Sequence, residues 1–135
     1  MSISLKVAHG KSEILIERDV RNRLIQHANL DRKVLVLCDD GIPYEYVETV
    51  RNQCGIPFVK IIPHGEKSKS LNMVEELCAF MVQKSFGKED LVLAVGGGVV
   101  GDLGGFIASI YLGGIDVISL PTTTLSQIDS SIGGK

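Results

Sequence analysis

One segment constrains the fold of this chain more than any other. The apolar run Leu91–Val95 leads directly into Gly96-Gly97-Gly98-Val99-Val100-Gly101-Asp102, in which Gly96, Gly98 and Gly101 satisfy the pattern G-x-G-x-x-G. Glycine permits a sharp turn and lets the backbone approach a pyrophosphate closely. A helix that starts at such a turn offers free N–H groups and the positive end of its dipole to phosphates. The segment therefore predicts a strand, a tight turn and a helix that bind a dinucleotide.

The same glycines could instead serve only the close packing of a helix against a sheet. Three consecutive glycines exceed what packing requires, and Asp102 adds a carboxylate in what we expect to be the first helical turn. The helix is expected to continue to about Tyr111 through Gly104, Gly105 and Ala108. Each glycine inside a helix costs about 1 kcal/mol relative to alanine, so a ligand or a close backbone contact should compensate. We therefore favour the binding interpretation.

The core strands are predicted by four short apolar runs: Val34–Cys38, Phe58–Ile62, Leu91–Val95 and Val117–Leu120. Near-continuous apolar strands are typical of a parallel sheet that is covered on both faces. Before them, Ile3, Leu5 and Val7 alternate with polar residues, as do Ile14 and Ile16. This period of two predicts an N-terminal hairpin or sheet edge.

Helices are predicted between these strands. One is expected over residues 20–28 with Asp19 as its N-cap, one from Pro43 to Cys54, and one from about Ser70 to Lys84. The residues expected to face inward in the second and third are Tyr44, Val47 and Val50, then Leu71, Val74, Leu77, Cys78 and Met81. Because strands and helices alternate, the sequence predicts one α/β domain over residues 1–135: a Rossmann-like, doubly wound, mainly parallel sheet with helices on both faces.

Composition excludes several classes of partner. The net charge of −2 over 135 residues gives no reason to expect a nucleic acid or an anionic membrane, both of which need clustered positive charge. No signal peptide pattern is present and no apolar stretch is long enough to span a bilayer. The three cysteines predict free thiols in a reducing cytoplasm. They share no ligand spacing with the three histidines, so no metal site is predicted within these residues.

Two acidic residues follow the first core strand. Asp39 and Asp40 stand at the end of Val34–Cys38, where a carboxylate can accept hydrogen bonds from the hydroxyls of a ribose. An ordinary loop start before Pro43 explains the same pair equally well.

Four segments, in this order, resemble 3-dehydroquinate synthase: Pro63–Ser70, Gly96–Phe106, Pro121–Thr123 and Asp129–Lys135. The resemblance covers the whole chain and corresponds to the N-terminal, NAD-binding portion of that family. It implies cofactor contacts from Asp39, Glu66, Lys69, Gly97, Gly98, Val99, Val100, Gly101, Asp102, Thr122, Thr123 and Leu125, and catalytic roles near the substrate and nicotinamide for Asp129 and Lys135. Taken singly, these segments could also be a solvated charge run, helix caps and a turn.

The resemblance also implies an activity. Enzymes of this family are carbon–oxygen lyases of the shikimate pathway, which leads to aromatic amino acids. They convert 3-deoxy-D-arabino-heptulosonate 7-phosphate to 3-dehydroquinate and phosphate, use NAD as a regenerated cofactor, and are commonly homodimers. Their zinc, or similar divalent metal, is held by a C-terminal helical domain. We expect that domain to be missing here, because the chain ends on a loop sequence, and we expect residues 1–135 alone to be catalytically incomplete.

Two departures and three alternatives qualify this interpretation. Gly113 stands where the family usually carries an arginine that binds substrate phosphate across a subunit boundary, and Thr124 replaces a usual leucine. One alternative is the front domain of an iron-type alcohol or glycerol dehydrogenase, whose final loop usually reads Gly-Thr-Gly-Ser-Glu. Other sugar-phosphate cyclases, such as those that make aminocyclitols, form the second. A non-catalytic nucleotide-binding or regulatory module is the third.

Overall fold

A computed structural model describes the backbone of residues 2–8 and 13–18, and the backbone and side chains of residues 28–122. In chain order its strands and helices are β1 (Ser2–Ala8), β2 (Glu13–Arg18), β3 (Lys33–Asp39), α1 (Tyr44–Arg51), β4 (Ile56–Ile62), α2 (Leu71–Gln83), β5 (Leu91–Gly96), α3 (Gly98–Ile110) and β6 (Asp116–Pro121). Single 3-10 turns lie at Glu66–Ser68 and Tyr111–Gly113. The alternation of strand and helix confirms the predicted α/β class.

The six strands form one sheet in the order β2-β1-β6-β5-β3-β4. The four core strands β3 to β6 are parallel, and β1 pairs antiparallel with both β2 and β6, which confirms the predicted N-terminal hairpin. From β3 the chain moves outward to β4, then crosses back over β3 to β5. The strand order therefore reverses between β3 and β5, and ligands of doubly wound sheets bind at such a reversal, outside the carboxyl ends of the strands.

Apolar layers cover both faces of the sheet. Successive residues of β3 point to opposite faces. Val34 and Val36 pack in the layer that contains Val47 and Val50 of α1. Leu35 and Leu37 pack in the opposite layer, where α2 contributes Leu77 and Met81 and α3 contributes Ile107. This two-layer core confirms helices on both faces of a doubly wound sheet.

Two residues predicted to face inward are exposed. Tyr44 is 53% exposed and Leu71 is 80% exposed. Each is the first residue of its helix, and both helices begin just past the carboxyl ends of the strands that precede them. The sheet no longer extends beneath a helix there, so the apolar spacing has no core to face. The prediction was wrong for both residues, although Ser70 caps α2 by accepting the N–H of Met73 at 3.2 Å.

The other predicted helix and the cysteines have separate outcomes. Residues 19–27, on which most of the first predicted helix falls, lie outside the described residues.

All three cysteines are free, with Cys38 buried and the other two partly buried. Burial raises the pKa of the Cys38 and Cys54 thiols to about 11, so both are protonated at neutral pH. Within the described part of the chain, no helix combines the length and apolarity that crossing a membrane requires.

One glycine of α3 sets how closely this helix lies against β5. A Cβ atom built on Gly104 would stand 2.9 Å from the Cβ of Ala94, closer than real contacts allow. At Gly105, one residue later, a Cβ would meet nothing within 4 Å. The predicted packing role therefore holds for Gly104, whereas Gly105 faces open space.

The two glycines give a matched pair of substitutions. Gly104→Ala is expected to lower the free energy of unfolding by about 1–3 kcal/mol, because the added methyl group must push α3 away from β5. Gly105→Ala is expected to raise it by about 0.5–1 kcal/mol, since alanine is the better helix former. Urea denaturation of both variants measures the difference, and equal effects would show that α3 does not contact β5 at Gly104.

Candidate functional site

The turn between β5 and α3 is built from the glycines that the sequence singled out. Gly96 has φ 155°, and a Cβ there would lie 3.1 Å from the side chain of Val100, so the position requires glycine. Gly97 caps α3, with no capping bond from any side chain among the described residues. The first helical hydrogen bond runs from the N–H of Gly101 to the carbonyl of Gly97 at 3.0 Å. The N–H groups before Gly101 therefore have no partner within the helix.

These free N–H groups lie at the carboxyl edge of the sheet, the edge at which β3 to β6 end. Gly96 is paired with Pro121 of β6, and the N–H of Thr122 donates to the carbonyl of Gly96 at 3.0 Å. The structure thus places Thr122, a predicted nucleotide contact, beside the turn. The remaining predicted contacts of this region, Thr123, Leu125, Asp129 and Lys135, lie outside the described residues.

Asp39 ends the strand next to β5. Cys38 is paired with Val95, so Asp39 ends β3 at the level at which the glycine turn begins. Neighbouring strands of a sheet lie about 4.8 Å apart. One oxygen of Asp39, Oδ1, accepts the N–H of Gly41 at 2.9 Å, which holds the carboxylate in a fixed turn. Its second oxygen has no hydrogen-bond partner among the described residues.

Asp40 is held by a residue that the sequence did not single out for this site, His64. Oδ1 of Asp40 accepts the backbone N–H of His64 at 3.1 Å and contacts its ring Nδ1 at 2.5 Å. The hydrogen bond to Asp40 and the charge of that carboxylate raise the pKa of His64 above its ordinary value. The same bond to His64 lowers the pKa of Asp40. Twenty-four residues separate the two, so no sequence spacing indicated the contact.

Lys69, on the segment after β4, and Asp102, on α3, form a second ion pair. Nζ of Lys69 lies 2.9 Å from Oδ2 of Asp102, whose side chain is 16% exposed. The hydrogen bond and the charge of Asp102 raise the pKa of Lys69. Asp102 is the fifth residue of α3, so the expectation of a carboxylate in the first helical turn was wrong. Glu66, the other predicted residue of this segment, is exposed on its 3-10 turn.

Gly113 lies far from this crevice. It sits in the 3-10 turn that follows α3, and the 13 residues of α3 separate it from the glycine turn by about 20 Å. Its φ is 79°, a left-handed conformation that disfavours any side chain. Position 113 therefore faces the amino edge of the sheet, the edge opposite the crevice.

Comparison with known proteins identifies relatives of the chain. A sequence model of the family described as "3-dehydroquinate synthase N-terminal" matches residues 59–135. A 3-dehydroquinate synthase from Pseudoalteromonas translucida is 43% identical over 115 residues, which cover 84% of this chain and 32% of the relative. The chain thus spans about a third of the length of the curated relative that it matches.

Solved structures share the fold. A crystal structure of 2-deoxy-scyllo-inosose synthase, complexed with carbaglucose-6-phosphate, NAD+ and Co2+, aligns with a TM-score of 0.82 over 94% of this chain and 36% of its own, at 22% identity. A 2-epi-5-epi-valiolone synthase from Streptomyces hygroscopicus subsp. jinggangensis 5008, with NAD+ and Zn2+ bound, aligns with a TM-score of 0.68 over 86% of this chain and 33% of its own, at 26% identity. These likenesses confirm the Rossmann-like architecture.

The ion pair of Asp40 and His64 predicts a pH dependence. Because the folded pKa of His64 is raised, its stabilising contact is complete below pH 6.5 and is lost as the pH rises through the folded pKa. Because the pKa of Asp40 is lowered, its contribution is present above pH 3.8 and is lost on acidification through the folded value. An NMR titration of the His64 ring should give a pKa above 6.5, which Asp40→Asn should lower. An unchanged value in that variant would contradict the pairing.

The pair of Lys69 and Asp102 can be tested by a double-mutant cycle. Lys69→Met, Asp102→Asn and the double variant are expected to give a coupling of about 0.2–1 kcal/mol in the free energy of unfolding, because the lysine is half exposed and solvent screens the charges. Urea denaturation at low and high salt measures this coupling. A coupling of zero at both salt concentrations would mean that the two side chains do not interact in solution.

Proposed function

The chain belongs to the 3-dehydroquinate synthase family, and from this premise we propose that residues 1–135 form the N-terminal NAD-binding domain of such an enzyme. One observation carries the cofactor assignment: the free N–H groups at the start of α3 open at the point where the strand order reverses, between β3 and β5. This arrangement fits a dinucleotide, since it offers an anion site and a neighbouring acidic strand end in one crevice.

The predicted site residues at the glycine turn and around it then have the following physical roles. The backbone N–H groups that precede Gly101 at the start of α3 bind the pyrophosphate, because the glycines at positions 97 and 98 let the phosphates approach them. The free oxygen of Asp39 accepts hydrogen bonds from the adenosine ribose. Lys69 brings a positive charge to the rim beside the pyrophosphate, and Asp102 holds that charge in place. NAD, when bound, takes up a hydride from the substrate alcohol and returns it later in the same turnover.

The remaining roles rest on the family. We propose that the whole protein converts 3-deoxy-D-arabino-heptulosonate 7-phosphate to 3-dehydroquinate and phosphate, as a cytoplasmic homodimer. Thr122, Thr123 and Leu125 would complete the nucleotide site, and Asp129 and Lys135 would face the substrate. Over residues 28–122, the acidic, histidine and cysteine side chains nowhere cluster in threes that could hold a metal ion, so this region does not fit zinc. We propose that a C-terminal helical domain holds the metal.

Family membership also argues against the iron-type dehydrogenase. An iron-type dehydrogenase shares the glycine turn after a strand, but the matching family model is that of the synthase and it extends through residue 135. The loop Asp129–Lys135, which would distinguish the two enzyme classes, falls within that match. The synthase is therefore the function that the comparisons support best.

NAD binding can be tested by calorimetry on three variants of the purified protein. Asp39→Ala is expected to weaken NAD binding by about tenfold to a hundredfold, because hydrogen bonds to a charged group contribute about 1.5–3 kcal/mol. Gly98→Val is expected to weaken it by at least a similar factor, because its side chain would stand at the proposed phosphate position.

Gly105→Ala serves as the matched control, since it alters the same helix at a position where a Cβ contacts nothing. Its affinity for NAD should equal that of the parent protein. Unchanged affinity in both Asp39→Ala and Gly98→Val would remove the proposed site.

A further inference from the structure

Two adjacent carboxylates, on Asp39 and Asp40, stand at the end of β3. They differ in their surroundings. Asp39 points one oxygen at the N–H of Gly41, whereas Asp40 is bound by the backbone and the ring of His64. The N–H of Asp40 donates to the carbonyl of Ile62 at 3.0 Å, so Asp40 stands on the side of β3 that faces β4, away from β5 and the glycine turn.

This placement matters for any ligand whose ribose lies at Asp39. In the proposed complex the pyrophosphate lies at the start of α3, on the β5 side of Asp39, so a phosphate on the 2′-hydroxyl of that ribose would project to the opposite side, toward Asp40 and His64. Dinucleotide-binding folds distinguish NAD from NADP by the charge found there, since an acid accepts the free hydroxyl and a nearby cation accommodates the phosphate. Here that position carries the carboxylate of Asp40, and the protonated imidazole of His64 can neutralise its charge.

His64 is the only partner of Asp40 found among the described side chains. The charged groups that act on its ring are Asp40, which it contacts, and Asp39, both from the end of β3. On its own segment, Glu66 and Lys67 are exposed. When His64 is protonated, the pair with Asp40 is neutral and Asp39 alone opposes a phosphate. When His64 is neutral, both carboxylates oppose it.

We propose that Asp40 and His64 strengthen the preference for NAD over NADP beyond the contribution of Asp39, with the protonation of His64 setting how strongly the 2′-phosphate is rejected. The proposal rests on the proposed NAD-binding function, because it needs the ribose to lie at Asp39. Rejection is weakest in acid and strengthens as the pH rises through the pKa of His64, which lies above its ordinary value.

The test measures dissociation constants for NAD and NADP with the purified protein from pH 5.5 to pH 9. The ratio of the NADP constant to the NAD constant is expected to rise by about fivefold across this range, the effect of one unit charge a few ångströms away in water. The 2′-phosphate itself titrates near pH 6, so the comparison requires a variant in which only His64 no longer titrates.

His64→Asn provides this control, because an amide can still donate to Asp40 but does not titrate. Its ratio should follow the titration of the phosphate alone, without the additional rise of the parent protein. In Asp40→Asn the ratio should be lowered at alkaline pH, because one opposing carboxylate is gone.

The experiment distinguishes a failure of this proposal from a failure of the proposed NAD-binding function. If the ratio has the same pH profile in the parent protein and in His64→Asn, the role of His64 is overturned. This holds even when the parent protein binds NAD and Asp39→Ala weakens that binding. Failure of the parent protein to bind NAD, or indifference of that affinity to Asp39→Ala, would overturn the proposed function itself.

Discussion

The close contact between Gly104 and Ala94 is the constraint on which the site depends. A side chain at position 104 would hold α3 away from β5, because even a Cβ atom would come within 2.9 Å of Ala94. With glycine there, α3 lies directly on the strand that precedes it, and its first N–H groups open where β3 and β5 end. The conformation of Gly96 supplies the turn, and Gly104 lets the helix lie close to β5.

The two edges of the parallel sheet differ in how their polar groups are hydrogen-bonded. At the amino edge, the buried carboxylate of Asp90 accepts the N–H groups of Lys33 at 3.1 Å and Gly87 at 2.6 Å, and Arg32 pairs with Asp116 at 2.9 Å. These contacts satisfy the carboxylates of Asp90 and Asp116 within the protein. At the carboxyl edge, the start of α3 has no side-chain cap among the described residues. Among the described residues, the N–H groups at the start of α3 therefore lie open at the edge where ligands of doubly wound sheets bind.

Sequence reasoning predicted the parts of this arrangement that depend on local pattern. Apolar runs gave the four core strands to within two residues, and the glycine spacing gave the turn and the helix after it. It failed where the outcome depends on tertiary position. Tyr44 and Leu71 have apolar spacing but lie beyond the sheet, and Asp102 was placed one turn too early. The pairing of His64 with Asp40 could not be predicted, because only the register of β3 and β4 brings the two residues together.

That register also brings the segment from Pro63 to Ser70 to the same edge of the sheet as the glycine turn. Near its start it is tied to the end of β3 through His64 and Asp40, and near its end it is tied to α3 through Lys69 and Asp102. Between these ties, the hydroxyl of Ser68 donates to the carbonyl of Pro63, so the segment keeps its own shape. It therefore links the end of β3 to α3. Under the proposed function, a dinucleotide would contact one ion pair near its ribose and the other near its pyrophosphate, and both pairs would form one binding surface.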